Sequence, residues 1–214
     1  MLTLYTTPLS ANGRKVLAVR HHLGVGAEVV SVNVYAGEGR TPEHLARHPW
    51  GRIPVLVDGD LVLWESNAIL VYLSDAYGDG RLLGDEPRAR ADVMRWLFFE
   101  SSAWQPAFVP VLAEFVGSRL LAGRAPSDPA RVDWHDARLR ETLAGVDTHL
   151  ADRAFLAGEA LTLADFSLAG MMMYVRPAAF PFEAYPHLAA WLGRVERTEA
   201  WRATASDPWR APEE

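Results

Sequence analysis

Three short stretches of the chain place side by side residue types that can bind or activate a small ligand. The first is Ser10-Ala11-Asn12-Gly13-Arg14-Lys15, where a hydroxyl and an amide stand two positions apart just after a β-prone run. On general grounds Ser10 reads as an N-cap, because its oxygen can accept a backbone N–H at the start of a helix. The second is His48-Pro49-Trp50-Gly51-Arg52-Ile53-Pro54, leading into Val55-Leu56-Val57. An Ile53-Pro54 bond at the head of a strand is a candidate cis peptide. Pro54 also removes a ladder donor and leaves the backbone before it free to pair with an extended ligand. The third is Trp64-Glu65-Ser66-Asn67-Ala68-Ile69. Ser66 before an apolar run reads as a helix cap, and the helix N-terminus it marks is suited to a carboxylate.

Other chemistries are excluded or disfavoured. The chain has no cysteine, which removes disulfides, thiolate metal sites and any cysteine nucleophile. His44 and His48 stand at i and i+4, but no third ligand is near, so no metal is expected. Thr162 and Asp165 have the spacing of a capping box and are expected to be structural, with no catalytic role. The 21 basic and 27 acidic residues are scattered and give a net charge of −6, so nucleic acid is not an expected partner. No apolar run approaches the ~20 residues that a membrane span needs. The opening MLTLYTTPLSANGRK lacks the features of a secretory signal, so a cytoplasmic protein is expected.

The elements that must position these residues fall into two groups. Leu2–Tyr5 reads as a strand. A helical stripe through Val16, Leu17, Arg20 and Leu23 follows and ends at Gly24. Glu28–Tyr35 reads as a second strand, Thr41–Arg47 as a helical turn, and Pro54–Asp58 and Leu61–Trp64 as a hairpin about Asp58-Gly59-Asp60. Ser66–Tyr77 closes this βαβ-α-ββα half. Residues 1–78 are therefore expected to form a mixed α/β domain, with 79–87 as a Gly- and Pro-containing linker. Residues 88–214 show no convincing strand and read as an all-helical domain, with helices from Arg88 to Phe99, Pro129 to Leu150, Ala164 to Val175 and His187 to Thr198. Pro106 and Pro110 are expected to break or kink the chain between the first two.

The segment Thr41–Ile69 closely resembles the glutathione-site segment of cytosolic glutathione transferases, especially the serine-type phi and theta groups and their bacterial relatives. Leu161–Gly170 (LTLADFSLAG) resembles the buried, box-capped helix of the same family. The resemblance implies an α+β architecture, a thioredoxin-like domain followed by a helical one, assembled as a homodimer. It implies an enzyme that activates glutathione, its cosubstrate, as a thiolate and adds it to small hydrophobic electrophiles, a detoxification chemistry. It implies that Ser10 donates a hydrogen bond to the sulfur, with Asn12 an alternative or additional donor. Glu65 and Ser66 match the residues that hold the γ-glutamyl end, and Ile53 the one whose backbone pairs with the cysteinyl unit before Pro54. Arg40 matches a basic residue near the glycyl carboxylate. Arg52 replaces a common glutamine, either as a second carboxylate clamp or as a solvated side chain. Trp104, Phe108 and Tyr174 are expected to line the electrophile pocket, since such pockets are apolar and favour domain junctions. Glutathione-dependent isomerisation, dehalogenation or peroxide reduction, or a non-catalytic binding or docking module, remain alternatives on the same fold.

Overall fold

A computed structural model of the chain describes residues 2–109, 136–176 and 180–205. Strand β1 (Thr3–Thr6) buries alternate residues, as a half-covered strand must, and runs parallel to β2 (Glu28–Ser31), with Thr3 opposite Glu28. On its other side β1 pairs antiparallel with β3 (Val55–Asp58), and β3 turns back into β4 (Leu61–Trp64), giving the order β2-β1-β3-β4. Helix α1 (Ala11–His22) makes the crossover between the parallel strands and buries Val16, Ala18 and Val19. A short α2 (Pro42–Arg47) precedes β3, and α3 (Ser66–Tyr77) follows β4, with Ile69, Leu70 and Leu73 facing the core.

The second strand is shorter than its valine-rich sequence predicts. It stops at Ser31 because Asn33 offers the backbone a competing partner: its side chain accepts from the amides of Tyr35 and Ala36 and starts a 3₁₀ turn at Val34–Ala36. A second such turn follows at Glu38–Arg40.

Beyond the sheet, α4 (Pro87–Phe99) does not break at Pro106. It widens into a π-helical turn, Glu100–Trp104, in which Gln105 N–H reaches back to Glu100 C=O, and residues 105–109 are again α-helical. The hydrogen bond that Pro106 cannot donate falls where the ladder has already slipped by one residue. Pro110 lies outside the described residues, as does the 129–135 part of the expected Pro129–Leu150 helix. Its described part is α5 (Ala137–His149), capped by Asp136, whose carboxylate accepts from Leu139 N–H at 2.9 Å. Helix α6 (Leu163–Met172) is buried along its whole length; α7 (Pro186–Glu196) packs against it, and α8 (Glu199–Ala203) packs against α1 and α7. The α6 capping box is present, and Asp165 does more than close it. Its carboxylate accepts from Thr162 N–H and Oγ1, from Leu156 N–H and from the Trp191 indole, all within 3.0 Å, so one buried anion ties three segments together. One contiguous core runs from Leu4 and Val16 of the sheet half to Phe166, Leu168 and Trp191 of the helical half. Among the described residues no helix is long and apolar enough to cross a membrane.

Candidate active site

Where the two halves meet, a cavity of about 420 Å³ opens between the ends of β3 and β4 and the π turn of α4. Its sheet-side wall is made by Asn12, Arg52, Ile53, Pro54, Glu65 and Ser66, and its helical wall by Glu100, Ser101, Gln105, Pro106 and Val109. That volume is in the range of small-molecule sites.

Each wall residue is placed by local chain chemistry. The Ile53–Pro54 bond is cis, and among the described residues no backbone hydrogen bond reaches the Ile53 N–H or C=O, so an edge of backbone stands open to the cavity. Arg52 is held through its own carbonyl, which bonds to His44 Nε2 at 2.8 Å, and its guanidinium is solvent-exposed. Gly39 and Gly51 pass so closely that a Cβ on either would lie 2.3 Å from the other's carbonyl oxygen. That contact sets the Arg40 loop against the Arg52 loop, although Arg40 itself is exposed and outside the cavity wall.

Ser66 is not the cap that its sequence context predicts. The N-cap of α3 is Glu65, which adopts φ 73° and ψ 109°, a backbone that a side chain rarely takes. Strain of this kind concentrates at functional sites, and here it turns the chain sharply enough to put Glu65 and Ser66 on the same wall. Ser66 is the first helical residue, and its hydroxyl donates to Asn12 Oδ1 at 3.2 Å, linking the α3 N-terminus to the first turn of α1. The Asn12 amide NH₂ has no partner among the described residues. Ser10 does cap α1: its Oγ accepts from Gly13 N–H at 3.3 Å, and its own hydroxyl hydrogen has no acceptor among the described residues. A hydroxyl whose oxygen is already accepting is a stronger donor.

Behind this wall lies a polar network that the sequence does not reveal. Lys15, the only lysine in the chain, is fully buried. Its Nζ stands 3.0 Å from Glu100 Oε2 and donates to Asn67 Oδ1 at 2.8 Å and to Ser167 Oγ at 3.3 Å. Asn67 donates in turn to Glu100 Oε2 and to the Leu97 carbonyl, and accepts from Ser167 Oγ. Burial pulls the Lys15 ammonium below the ordinary lysine range, and Glu100 opposes that pull. Glu100 and Asn67 both reach the cavity wall.

His48 also lines the cavity, and its Nδ1 accepts from Trp50 N–H at 3.3 Å. Burial, with His44 nearby, holds the imidazole below the usual histidine range, so it is neutral near pH 7. Both histidines of the i, i+4 pair are thus engaged with backbone groups. Among the described residues no cluster of three or more His, Cys, Asp or Glu is arranged to hold a metal.

The structure does not bring the three expected pocket aromatics to this cavity. Trp104 and Phe108 are fully buried, with the Trp104 indole donating to the Leu168 carbonyl at 3.0 Å, so they are core residues between α4 and α6. Tyr174 is buried beneath the Ser10 loop. The apolar surface on the cavity's helical wall comes from Pro106 and Val109, just beyond the π segment that ends at Trp104. Their positions follow from the slipped helix register, which sequence periodicity does not show.

The family model for the glutathione S-transferase N-terminal domain matches residues 1–75, and that for the C-terminal domain matches residues 103–194. The chain belongs to the glutathione S-transferase family. It is 35% identical over 192 residues to a probable glutathione S-transferase GSTF2 of Oryza sativa subsp. japonica, covering 89% of each chain. Among solved structures it is similar to glutathione transferase F7 of Populus trichocarpa, with a TM-score of 0.85, 30% identity, and 95% of this chain and 97% of that one covered. It is also similar to the theta class glutathione S-transferase of Xanthomonas axonopodis pv. citri, whose structure has glutathione bound, with a TM-score of 0.83, 31% identity, and 95% and 96% covered.

Proposed function

We propose that this chain is a glutathione transferase that binds glutathione along the cis-Pro54 wall, holds its thiol as a thiolate beside Ser10, and presents it to hydrophobic electrophiles. The observation that carries this reading is the single cavity that joins Asn12, Ile53, Pro54, Glu65, Ser66 and Arg52. Those groups match the ligand chemically. The open backbone of Ile53 suits the cysteinyl peptide unit, and the α3 N-terminus with Ser66 suits the γ-glutamyl carboxylate. Glu65 suits the ammonium, and Arg52 with Arg40 suits the glycyl carboxylate at the solvent-facing end. Ser10 donates its uncommitted hydrogen to the sulfur and favours the ionised form, and the α1 N-terminus adds to that preference. The thiolate then attacks the electrophilic carbon on the Pro106 and Val109 side. A C–S bond forms, and the leaving group departs with its electron pair. Residues 1–78 supply the cosubstrate site and residues 88–214 the electrophile side. The cytoplasm, which keeps glutathione reduced, is the matching compartment.

Ser66→Ala is expected to weaken glutathione binding about tenfold, the effect of losing one hydrogen bond to a charged group. Arg40→Ala and Arg52→Ala are expected to weaken it only a few-fold each, because both guanidiniums are exposed and screened. Titration calorimetry reads all three; if the Ser66 and arginine variants bind like the parent, glutathione lies elsewhere.

The working assembly is a homodimer built on the α3–α4 face. There a second hollow, lined by Leu63, Ala68, Val71, Met94 and Leu97, lies beside Phe98, which is 65% exposed. A knob and an apolar hole on one face are what a two-fold contact requires, since each copy's knob can fill the other's hole. Glu65, Asn67 and Ser101 belong to both hollows, so this face adjoins the active site. Light scattering is expected to give a dimer for the parent and a shift to monomer for Phe98→Asp. A parent protein that is monomeric at micromolar concentration contradicts this assembly.

A further inference from the structure

The Tyr174 hydroxyl grips the chain on both sides of Ser10. It donates to the Leu9 carbonyl at 2.7 Å and accepts from the Ala11 N–H at 3.1 Å. These two groups belong to the two peptide planes that flank Ser10, and the relative orientation of those planes is what the φ and ψ of Ser10 describe. One side-chain oxygen therefore holds both torsions, at φ −90° and ψ 129°, and with them the direction in which the Ser10 hydroxyl leaves the backbone.

The grip is anchored firmly. Tyr174 stands two residues past the end of α6, the buried helix fixed by Asp165, and is itself buried. Gly170 of the same helix sits so close to the start of α1 that a Cβ there would lie 2.9 Å from the Ala11 carbonyl. Ala11 is the first residue of α1, and such first-turn amides have no partner within their own helix. The loop is also closed by two local bonds, Ser10 N–H to the Thr7 carbonyl at 3.1 Å and Leu9 N–H to Thr7 Oγ1 at 3.4 Å.

We infer that Tyr174 is a positioning residue for the thiolate-binding serine: its hydroxyl, reaching from the helical half, sets the orientation of Ser10 in the other half. The inference rests on the reading of Ser10 as the sulfur's donor. Because a hydrogen bond to a thiolate depends on direction as well as distance, loosening both planes should cost turnover more than binding.

The test is Tyr174→Phe, which keeps the ring and removes only the oxygen, studied beside Ser10→Ala and the double variant. Tyr174→Phe is expected to raise the apparent pKa of enzyme-bound glutathione, seen in the thiolate's ultraviolet absorbance. It should lower kcat with an aryl halide about tenfold near neutral pH, with partial recovery at higher pH. The KM for glutathione and the affinity for S-methylglutathione should stay within about twofold of the parent. Adding Tyr174→Phe to Ser10→Ala should cause little further loss of kcat, because the hydroxyl acts through the serine. A variant with a lower melting temperature but the parent's thiolate titration and pH profile makes Tyr174 a core bond only and overturns the inference. Full additivity in the double variant overturns it as well. If Ser10→Ala leaves the titration unmoved, the serine reading itself has failed and takes this inference with it. Amide hydrogen exchange on the parent gives a check that needs no variant: Ala11 N–H is expected to be protected, and exchange at the rate of an open first-turn amide overturns the bond.

Discussion

Ser10→Ala is expected to lower conjugation of an aryl halide by about ten- to a thousand-fold near neutral pH, while binding of S-alkyl glutathione stays close to that of the parent. The range is that of removing one donor aimed at a developing or resident anion. Its direction follows from the geometry. The Ser10 oxygen accepts from Gly13 N–H, which leaves its hydrogen as a polarised donor with no acceptor among the described residues. A thiolate that loses this donor binds its proton more tightly, so a smaller fraction is ionised at neutral pH. Activity should then recover in part as pH rises through the raised titration point. The same substitution removes the α1 N-cap and should cost about 1 kcal/mol of stability, so a lower melting temperature alone says nothing about the sulfur. Ser10→Thr keeps both the cap and the donor and should retain much of the activity. Asn12→Ala is the discriminating partner, because Asn12 stands on the cavity wall, with no partner for its NH₂ among the described residues, whereas Ser10 is not among the residues that line the cavity. If Asn12→Ala shows the large loss and the shifted pH profile while Ser10→Ala is mild, the amide is the sulfur's donor and the serine is a cap.

Much of the fold was legible from local chemistry. The alternation around Leu4, the Asp58-Gly59-Asp60 turn and the Val16 stripe are each a local periodicity or turn signal, so they can be read without knowing which distant residues they pack against. Where the reading failed, something non-local decided. Periodicity marked Trp104, Phe108 and Tyr174 as inward-facing, and they are; it does not distinguish a face packed into core from one that borders a cavity. The π turn at Glu100–Trp104 rotates the following residues and gives the helical wall to Pro106 and Val109. Ser66 looked like a cap because capping serines are common. The strained backbone of Glu65 displaced it by one position and turned its hydroxyl to Asn12. Asn67, Glu100 and Lys15 lie far apart along the chain, so their meeting is a property of how α1, α3 and α4 pack.

That meeting gives the largest stability effect expected of a single side chain near the site. Lys15→Met should destabilise the protein by about 3–5 kcal/mol, because it leaves the buried Glu100 carboxylate without its counter-ion. Asn67 and Ser167 lose a donor at the same time. The pair itself is not expected to be worth that much. Removing two charges from water costs nearly as much as their attraction returns, and the cost becomes visible only when one partner is left alone. Lys15→Met combined with Glu100→Gln should therefore recover most of the lost stability, since the amide still offers Asn67 an oxygen and no unpaired charge remains. Denaturant unfolding of the two single variants and the double variant measures this directly. If the double variant is as unstable as Lys15→Met, the loss comes from disturbed packing around the lysine stem and not from an orphaned charge. The site should register the change too. The network joins α1, which follows the Ser10 loop, to the α3 N-terminus that carries Ser66, so the recovered double variant should bind glutathione more weakly than the parent even when equally folded. Parent-like affinity in that variant would confine the network to holding the two halves together.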